Sequence, residues 1–154
     1  MSSGAWIVVA VVVLGGAFGL YRLLTDGRFR GTHSLPVVEE GALAPVSKPS
    51  KTPWSHVVAA IPDAQLGEKA TLLQFSSAFC APCRATRRTL SEVAAVVPGV
   101  EHLEVDAEHH LELVRRLGIL RTPTTLVLDA AGREVNRAAG APRKEQVLSA
   151  LANA

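Results

Sequence analysis

Every cysteine in the chain lies in one short stretch, FSSAFCAPCRATRR, from Phe75 to Arg88, where Cys80 and Cys83 stand three residues apart. A structural disulfide, a metal site and thiol–disulfide exchange each use such a pair differently. Residues three apart on a helix are neighbours, inside the roughly 4.4–6.8 Å Cα separation that a disulfide permits. The ring closed is very short, so it constrains the unfolded chain little, and a structural staple gains more from distant partners. A zinc site needs about two further ligands at suitable spacing. His109 and His110 are the candidates, but they open a separate helical segment and there is no second CxxC. No metal is therefore expected.

Redox chemistry suits the placement better. Cys80 ends the loop after an apolar strand-like run, and Cys83 falls in the first turn of the following helix. A helix amino terminus carries about half a positive charge and unpaired N–H groups. A thiolate at Cys80 is stabilised there, below the reference thiol pKa of roughly 8.5. Arg84, Arg87 and Arg88 either add to that field or form a solvated helix face. Pro82 costs the helix little, because first-turn N–H groups lack intrahelical partners. Such a pair works in two steps: Cys80 attacks a substrate disulfide, and Cys83 then attacks Cys80 and releases reduced product.

Alternating elements must hold this pair. The patterning predicts a weak strand at His56–Ala60, a turn at Pro62–Gly67 and a strand at Thr71–Ser76. A helix follows over Pro82–Val97, with Leu90, Val93 and Val97 on one face, and Pro98-Gly99 stops it. Glu101–Val105 alternates as a strand. Glu108–Leu117 reads as a helix with Leu111, Val114 and Leu117 on one face and Gly118 at its end. Thr124–Leu128 and Arg133–Ala138 form a hairpin about Asp129–Gly132, and a helix over Arg143–Leu151 buries Val147, Leu148 and Leu151. Helices between strands imply an α/β fold, a mixed sheet covered on both faces with an antiparallel edge.

With those elements in place, residues Trp54–Ala154 resemble the thioredoxin family. Phe75–Arg84, FSSAFCAPCR, looks like its strand-to-active-site segment, and Arg121-Thr122-Pro123-Thr124 looks like its second signature. Val105-Asp106 and Gly140 also fall where members have matching residues. The resemblance implies a thioredoxin fold, Cys80 as nucleophile and Cys83 as resolving thiol. It implies a cis Pro123 facing the cysteines, with Thr122 offering its backbone to the substrate chain and Phe79 on the substrate-binding rim. It implies no cofactor.

The departures are specific. Ala81 precedes Pro82 where most thioredoxins have glycine, Phe79 replaces a tryptophan, and Ser76 stands at a commonly aromatic position. Gln74 occupies the place of a buried acid that assists proton transfer, and His102 the place of a lysine that pairs with it. Gln74 cannot act as a base. His102, with a reference pKa near 6.5, can, so His102 or water held by Gln74 is the candidate for handling the proton of Cys83. The alternative is a strand histidine without catalytic role.

The remainder of the chain divides into an anchor and a linker. Apolar residues are 48 % of the sequence, and no charge occurs from Trp6 to Tyr21. Extended to Leu24 with Arg22 as the one interruption, the segment spans roughly 28 Å as a helix, close to the hydrocarbon thickness of a bilayer. A buried core helix would show a polar face, and a signal peptide a basic start; neither is present. Residues 1–24 are thus expected to form a transmembrane anchor. Arg22, Arg28 and Arg30 against Asp26 put the C-terminal side in the cytoplasm by the positive-inside rule, the alternative being extracytoplasmic. Gly15 and Gly19 form a GxxxG pair, a weak association motif. Residues 25–53, punctuated by glycine and proline, read as a flexible linker, with a short extended piece at Leu35–Val38. The domain is 54–154. It carries 11 basic and 11 acidic residues, and no basic stripe that would suggest nucleic acid.

These features predict a membrane-tethered thiol–disulfide oxidoreductase. Its partners are protein disulfides and an electron donor, either a thioredoxin reductase or a low-molecular-weight thiol. A redox-inactive docking module usually lacks one or both cysteines. A cytochrome-maturation factor commonly has insertions for which the segment before the active site leaves no room. A peroxide reductase would need a downstream cysteine.

Overall fold

The computed structural model describes residues 3–25, 29–31 and 52–154, with side chains described for 6–22 and 52–154. A helix α1 runs from Ser3 to Thr25 and a short strand β1 from Phe29 to Gly31. The domain then proceeds through α2 (Pro53–Ala60), β2 (Ala70–Ser76), α3 (Ala81–Val96), β3 (Val100–Asp106), α4 (Leu111–Arg116), β4 (Thr124–Asp129), β5 (Glu134–Ala139) and α5 (Lys144–Leu151). The five strands form one sheet in the order β1-β5-β4-β2-β3. β2 pairs parallel with β3 and antiparallel with β4, so the strand leading into the cysteines is flanked on both sides.

Alternation along β2 divides the core in two. Leu73 and Phe75 point to one face, where they pack with Val57 of α2, Leu113 of α4 and Leu126 and Leu128 of β4. Ala70 and Leu72 point to the other, against Leu90 and Val93 of α3 and Val147 of α5. All seven residues of β2 are buried, as expected of a central strand covered on both faces.

Three local expectations are corrected. Residues 56–60 are part of helix α2, not a strand. The Thr52 hydroxyl accepts the Ser55 N–H, Pro53 fits the first helical position, and Trp54, Val57 and Ile61 recur at helical spacing on the core face. Helix α4 starts at Leu111 rather than Glu108. The Asp106 carboxylate accepts the Glu108 N–H at 2.8 Å, and residues 107–109 form a turn. The inward face of α4 is consequently Leu113 with Leu117, and Leu111 is exposed. Helix α5 buries Val147 and Ala150, while Leu148 lies at the surface. Gly118, after α4, has φ +62°, the left-handed conformation that a helix-ending glycine adopts most cheaply.

Within the stretch read as linker, β1 pairs antiparallel with β5, Phe29 opposite Ala138 and Gly31 opposite Asn136. Three residues suffice because the outer edge of β5 offers N–H and C=O groups in register. The extended piece expected at Leu35–Val38 lies outside the described residues. Among the described residues, whose side chains in α1 cover Trp6 to Arg22, no helix is long and apolar enough to cross a membrane.

Phe75 is fully buried one strand position before Ser76 and belongs to the α2/α4 side of the core. Replacing it by Ala is expected to cost roughly 3–5 kcal/mol, a large share of the 5–15 kcal/mol typical of a domain. Chemical denaturation of the full chain checks this, and a loss below about 1 kcal/mol would show that the site collapses around the cavity.

Candidate active site

Cys80 is the residue that opens α3. Its backbone is extended, and its sulfur accepts the Cys83 N–H at 3.2 Å, so the sulfur caps the helix in the manner of a serine or aspartate oxygen. Cys80 and Cys83 form a disulfide with Cα atoms 5.2 Å apart. The two sulfurs are unequal. Cys80 is partly exposed, whereas Cys83 is 2 % exposed and belongs to the buried face of α3 with Thr86, Leu90 and Val93. An incoming disulfide can meet Cys80; Cys83 can meet only Cys80.

The second signature sits beside this pair. The Thr122–Pro123 peptide is cis. Pro82, Thr122, Pro123 and Gly140 line one groove, together with Arg121, Ala141 and, from α1, Gly19 and Arg22. The Thr122 hydroxyl lies 3.1 Å from the Ser77 hydroxyl, which ties the proline loop to the loop before Cys80. The Pro123 carbonyl accepts the Gly140 N–H at 2.8 Å, and the Thr124 hydroxyl donates to the Arg121 carbonyl at 2.8 Å. Phe79 is 99 % exposed at the rim, free to contact another chain. The structure thus brings Phe79, Cys80, Cys83, Thr122 and Pro123 to one end of the sheet.

Gln74 and His102 lie beneath. Gln74 is fully buried on β2, and its amide nitrogen donates to the Cys83 carbonyl at 3.1 Å and the Ser76 hydroxyl at 2.7 Å. A carbonyl can only accept, so the Cys83 contact fixes which end of the amide is nitrogen. The Gln74 oxygen therefore faces His102 Nε2 at 3.1 Å and accepts its proton. His102 Nδ1, left as the unprotonated nitrogen, accepts from the Ser91 hydroxyl at 3.0 Å. Both ring nitrogens are engaged, and the lone pair points at Ser91 rather than at Cys83.

Two members of the network, Glu104 and Ser91, were not singled out by sequence. Ser76 donates to the Glu104 carboxylate, which also pairs with Arg87 of α3. The strand alternation E-H-L-E-V places His102 and Glu104 on one face, which is a readable signal. That this face meets Gln74 depends on the parallel register, in which Gln74 stands opposite Glu104. A cavity of about 290 Å³ opens beside these groups, lined by Cys80, Cys83, Ser76, Arg84, Arg87 and Glu104 among others. The small side chain of Ser76 leaves room there.

Comparison with known proteins agrees with this geometry. The model of the family described as "Thioredoxin-like domain" matches residues 58–154. The chain belongs to that family. Among its relatives, thioredoxin H2-1 of Oryza sativa subsp. japonica is 31 % identical over 107 residues, 70 % of this chain and 75 % of that one. Thioredoxin of Alicyclobacillus acidocaldarius is 34 % identical over 88 residues, 56 % and 83 % of the two chains. The crystal structure of thioredoxin f from spinach chloroplast superposes with a TM-score of 0.51 at 27 % identity, covering 64 % of this chain and 82 % of that one. The thioredoxin fold expected from sequence is what the sheet order and the flanking helices form. With its disulfide-forming Cys80–Cys83 pair, this family member is a thiol–disulfide oxidoreductase.

Burial lowers the His102 pKa below its ordinary 6.5; Glu104 opposes this and Arg87 adds to it. The unfolded chain takes a proton on this ring near 6.5, the folded chain only at lower pH. Stability is thus retained above about 6.5 and falls as the pH drops below it. An NMR titration of the full chain is expected to place the His102 midpoint below 6.5, and His102→Gln to reduce the acid sensitivity. A midpoint at or above 6.5 would contradict the buried neutral ring.

Proposed function

We propose that the chain is a membrane-tethered reductase of protein disulfides. The reading rests on one observation: a partly exposed sulfur at the amino end of a sixteen-residue helix, joined in a disulfide to the buried Cys83. Reduction follows directly. The Cys80 thiolate attacks one sulfur of the substrate disulfide and forms a mixed disulfide, and the other substrate sulfur leaves as a thiolate. Cys83 then attacks Cys80, the mixed disulfide breaks, and the second substrate sulfur is released. The substrate gains two electrons and the enzyme ends as the Cys80–Cys83 disulfide. The exposed Phe79 and the Thr122 backbone next to Pro123 supply a surface for an extended substrate segment. Restoring the dithiol requires a donor, a thioredoxin reductase or a low-molecular-weight thiol.

Tethering is supported by α1. Its backbone is a continuous helix of 23 residues, about 34 Å at 1.5 Å per residue, of which the part with described side chains, Trp6–Arg22, falls short of a span by itself. Its side chains from Trp6 to Tyr21 are uncharged and exposed on every face. Water does not favour that, whereas a bilayer does. The arginines that follow favour a cytoplasmic domain, where the same dithiol runs as a reductase.

Two tests follow. Full chain in the reduced state is expected to reduce insulin, with Cys80→Ser inactive and Cys83→Ser arrested as a mixed disulfide visible by mass. Activity of Cys80→Ser near the wild-type level would refute the assignment of the nucleophile. For the tether, the chain should resist alkaline extraction from membranes. A cysteine introduced at Ser47, in a background lacking Cys80 and Cys83, should be labelled only after the cells are opened. Labelling from outside reverses the orientation, and release into the soluble fraction removes the anchor.

A further inference from the structure

We propose that Glu104 accepts the proton of Cys83 when that thiol resolves the mixed disulfide. The inference rests on the oxidoreductase reading and assigns a group that the reaction needs. Cys83 is buried and must lose its proton before attacking Cys80, because the thiolate is the nucleophile. Gln74, on the strand beneath it, is an amide and takes no proton. His102 has both ring nitrogens in hydrogen bonds.

The hydrogen bonds point to the group that remains. Their donor directions run one way: the Ser91 hydroxyl to His102, His102 to the Gln74 oxygen, the Gln74 nitrogen to the Ser76 hydroxyl, and Ser76 to the Glu104 carboxylate. The chain ends on an anion. The same Gln74 nitrogen also holds the Cys83 carbonyl, so Glu104 is connected to the backbone of the resolving cysteine through Gln74 and Ser76. The parallel register sets Glu104 beside Gln74 on the adjacent strand, facing the same side of the sheet. An acid missing on β2 is thus present one strand over, at the same level.

Access is provided by the cavity of about 290 Å³ that Glu104 and Cys83 both line. It is polar and large enough for water to carry a proton between them. Asp106 also lines it, but the hydrogen bonds that run from Gln74 through Ser76 end on Glu104 and not on Asp106. Glu104 is a quarter exposed, so the proton can be returned to solvent. The Arg87 guanidinium pairs with the carboxylate from its outer side and holds it against the cavity.

The Cys83 S–H bond breaks, and its proton passes through water to the Glu104 carboxylate. The Cys83 sulfur forms a bond to the Cys80 sulfur as the bond from Cys80 to the substrate sulfur breaks. The electron pair leaves on the substrate sulfur, which takes up a proton to become the thiol. Glu104 acts across the cavity and not by contact with sulfur, so its test must read proton transfer rather than activity alone.

Reduced full chain mixed with 5,5′-dithiobis(2-nitrobenzoate) releases one thionitrobenzoate bimolecularly as Cys80 is capped. A second is released unimolecularly as Cys83 closes the ring. The second release is followed against pH. Glu104→Gln is expected to slow it about tenfold or more and to leave a rate that climbs with hydroxide where the wild type has levelled off. Glu104→Asp should restore the levelling. Arg87→Gln should also slow the second release, because the carboxylate loses the ion pair that holds it against the cavity. This variant changes an exposed side chain and does not depend on how Glu104→Gln folds. A Glu104→Gln profile that superimposes on the wild type, or a second release unchanged in Arg87→Gln, overturns the proposal and leaves the oxidoreductase reading standing. A wild-type chain that never gives the second release sinks that reading itself.

Discussion

The sulfur of Cys80 does the work of a helix cap. It receives the Cys83 N–H at the amino end of α3, where the backbone has donors without intrahelical partners and a partial positive charge. Everything else in the site follows from keeping that sulfur in place. The extended backbone at Cys80 turns the chain from strand to helix. Pro82 occupies a position where no N–H is needed. Cys83 is set one turn along, close enough to close a ring and too buried to react elsewhere.

Holding the cap in place falls to the sheet. β2 is buried from end to end between β3 and β4, so the loop that carries Cys80 emerges from the most constrained strand of the fold. The Pro123 loop enters β4, β2's other neighbour, and reaches the cysteines for that reason. Hydrogen bonds of the Pro123 carbonyl to Gly140 and of the Thr122 hydroxyl to Ser77 join the loops at this end of the sheet. The site is a product of strand adjacency, and the side chains that serve it come from segments 45 residues apart.

Beneath the cysteines the protein keeps a polar network where an apolar layer would be simpler. A buried amide without partners would cost free energy, and Gln74 avoids this by filling both ends: nitrogen to Cys83 and Ser76, oxygen to His102. The layer is nonetheless not all neutral groups: Glu104 of the neighbouring strand brings a carboxylate to it, and the small Ser76 leaves the space through which Glu104 faces the dithiol.

How much of this was legible in the sequence depends on the range of the interaction. The Cys80–Cys83 spacing, the proline in the first turn, the apolar run of β2 and the Thr122-Pro123 signature are local, so the sequence alone determined the redox pair and, with the resemblance, the fold around it. It misjudged α2 and the start of α4, because the Thr52 cap and the Asp106 turn decide those boundaries through single side-chain hydrogen bonds. It did not reach β1, whose pairing depends on an edge of β5 more than 100 residues away. The proton chemistry was the least legible. Gln74 and His102 could be picked out by position. Which way the Gln74 amide points, and which residue of β3 stands beside it, are set by a parallel register that no local pattern encodes. Only the tertiary structure brings Glu104 to the cysteines, because side chains on adjacent strands meet through backbone pairing and not through proximity in the chain.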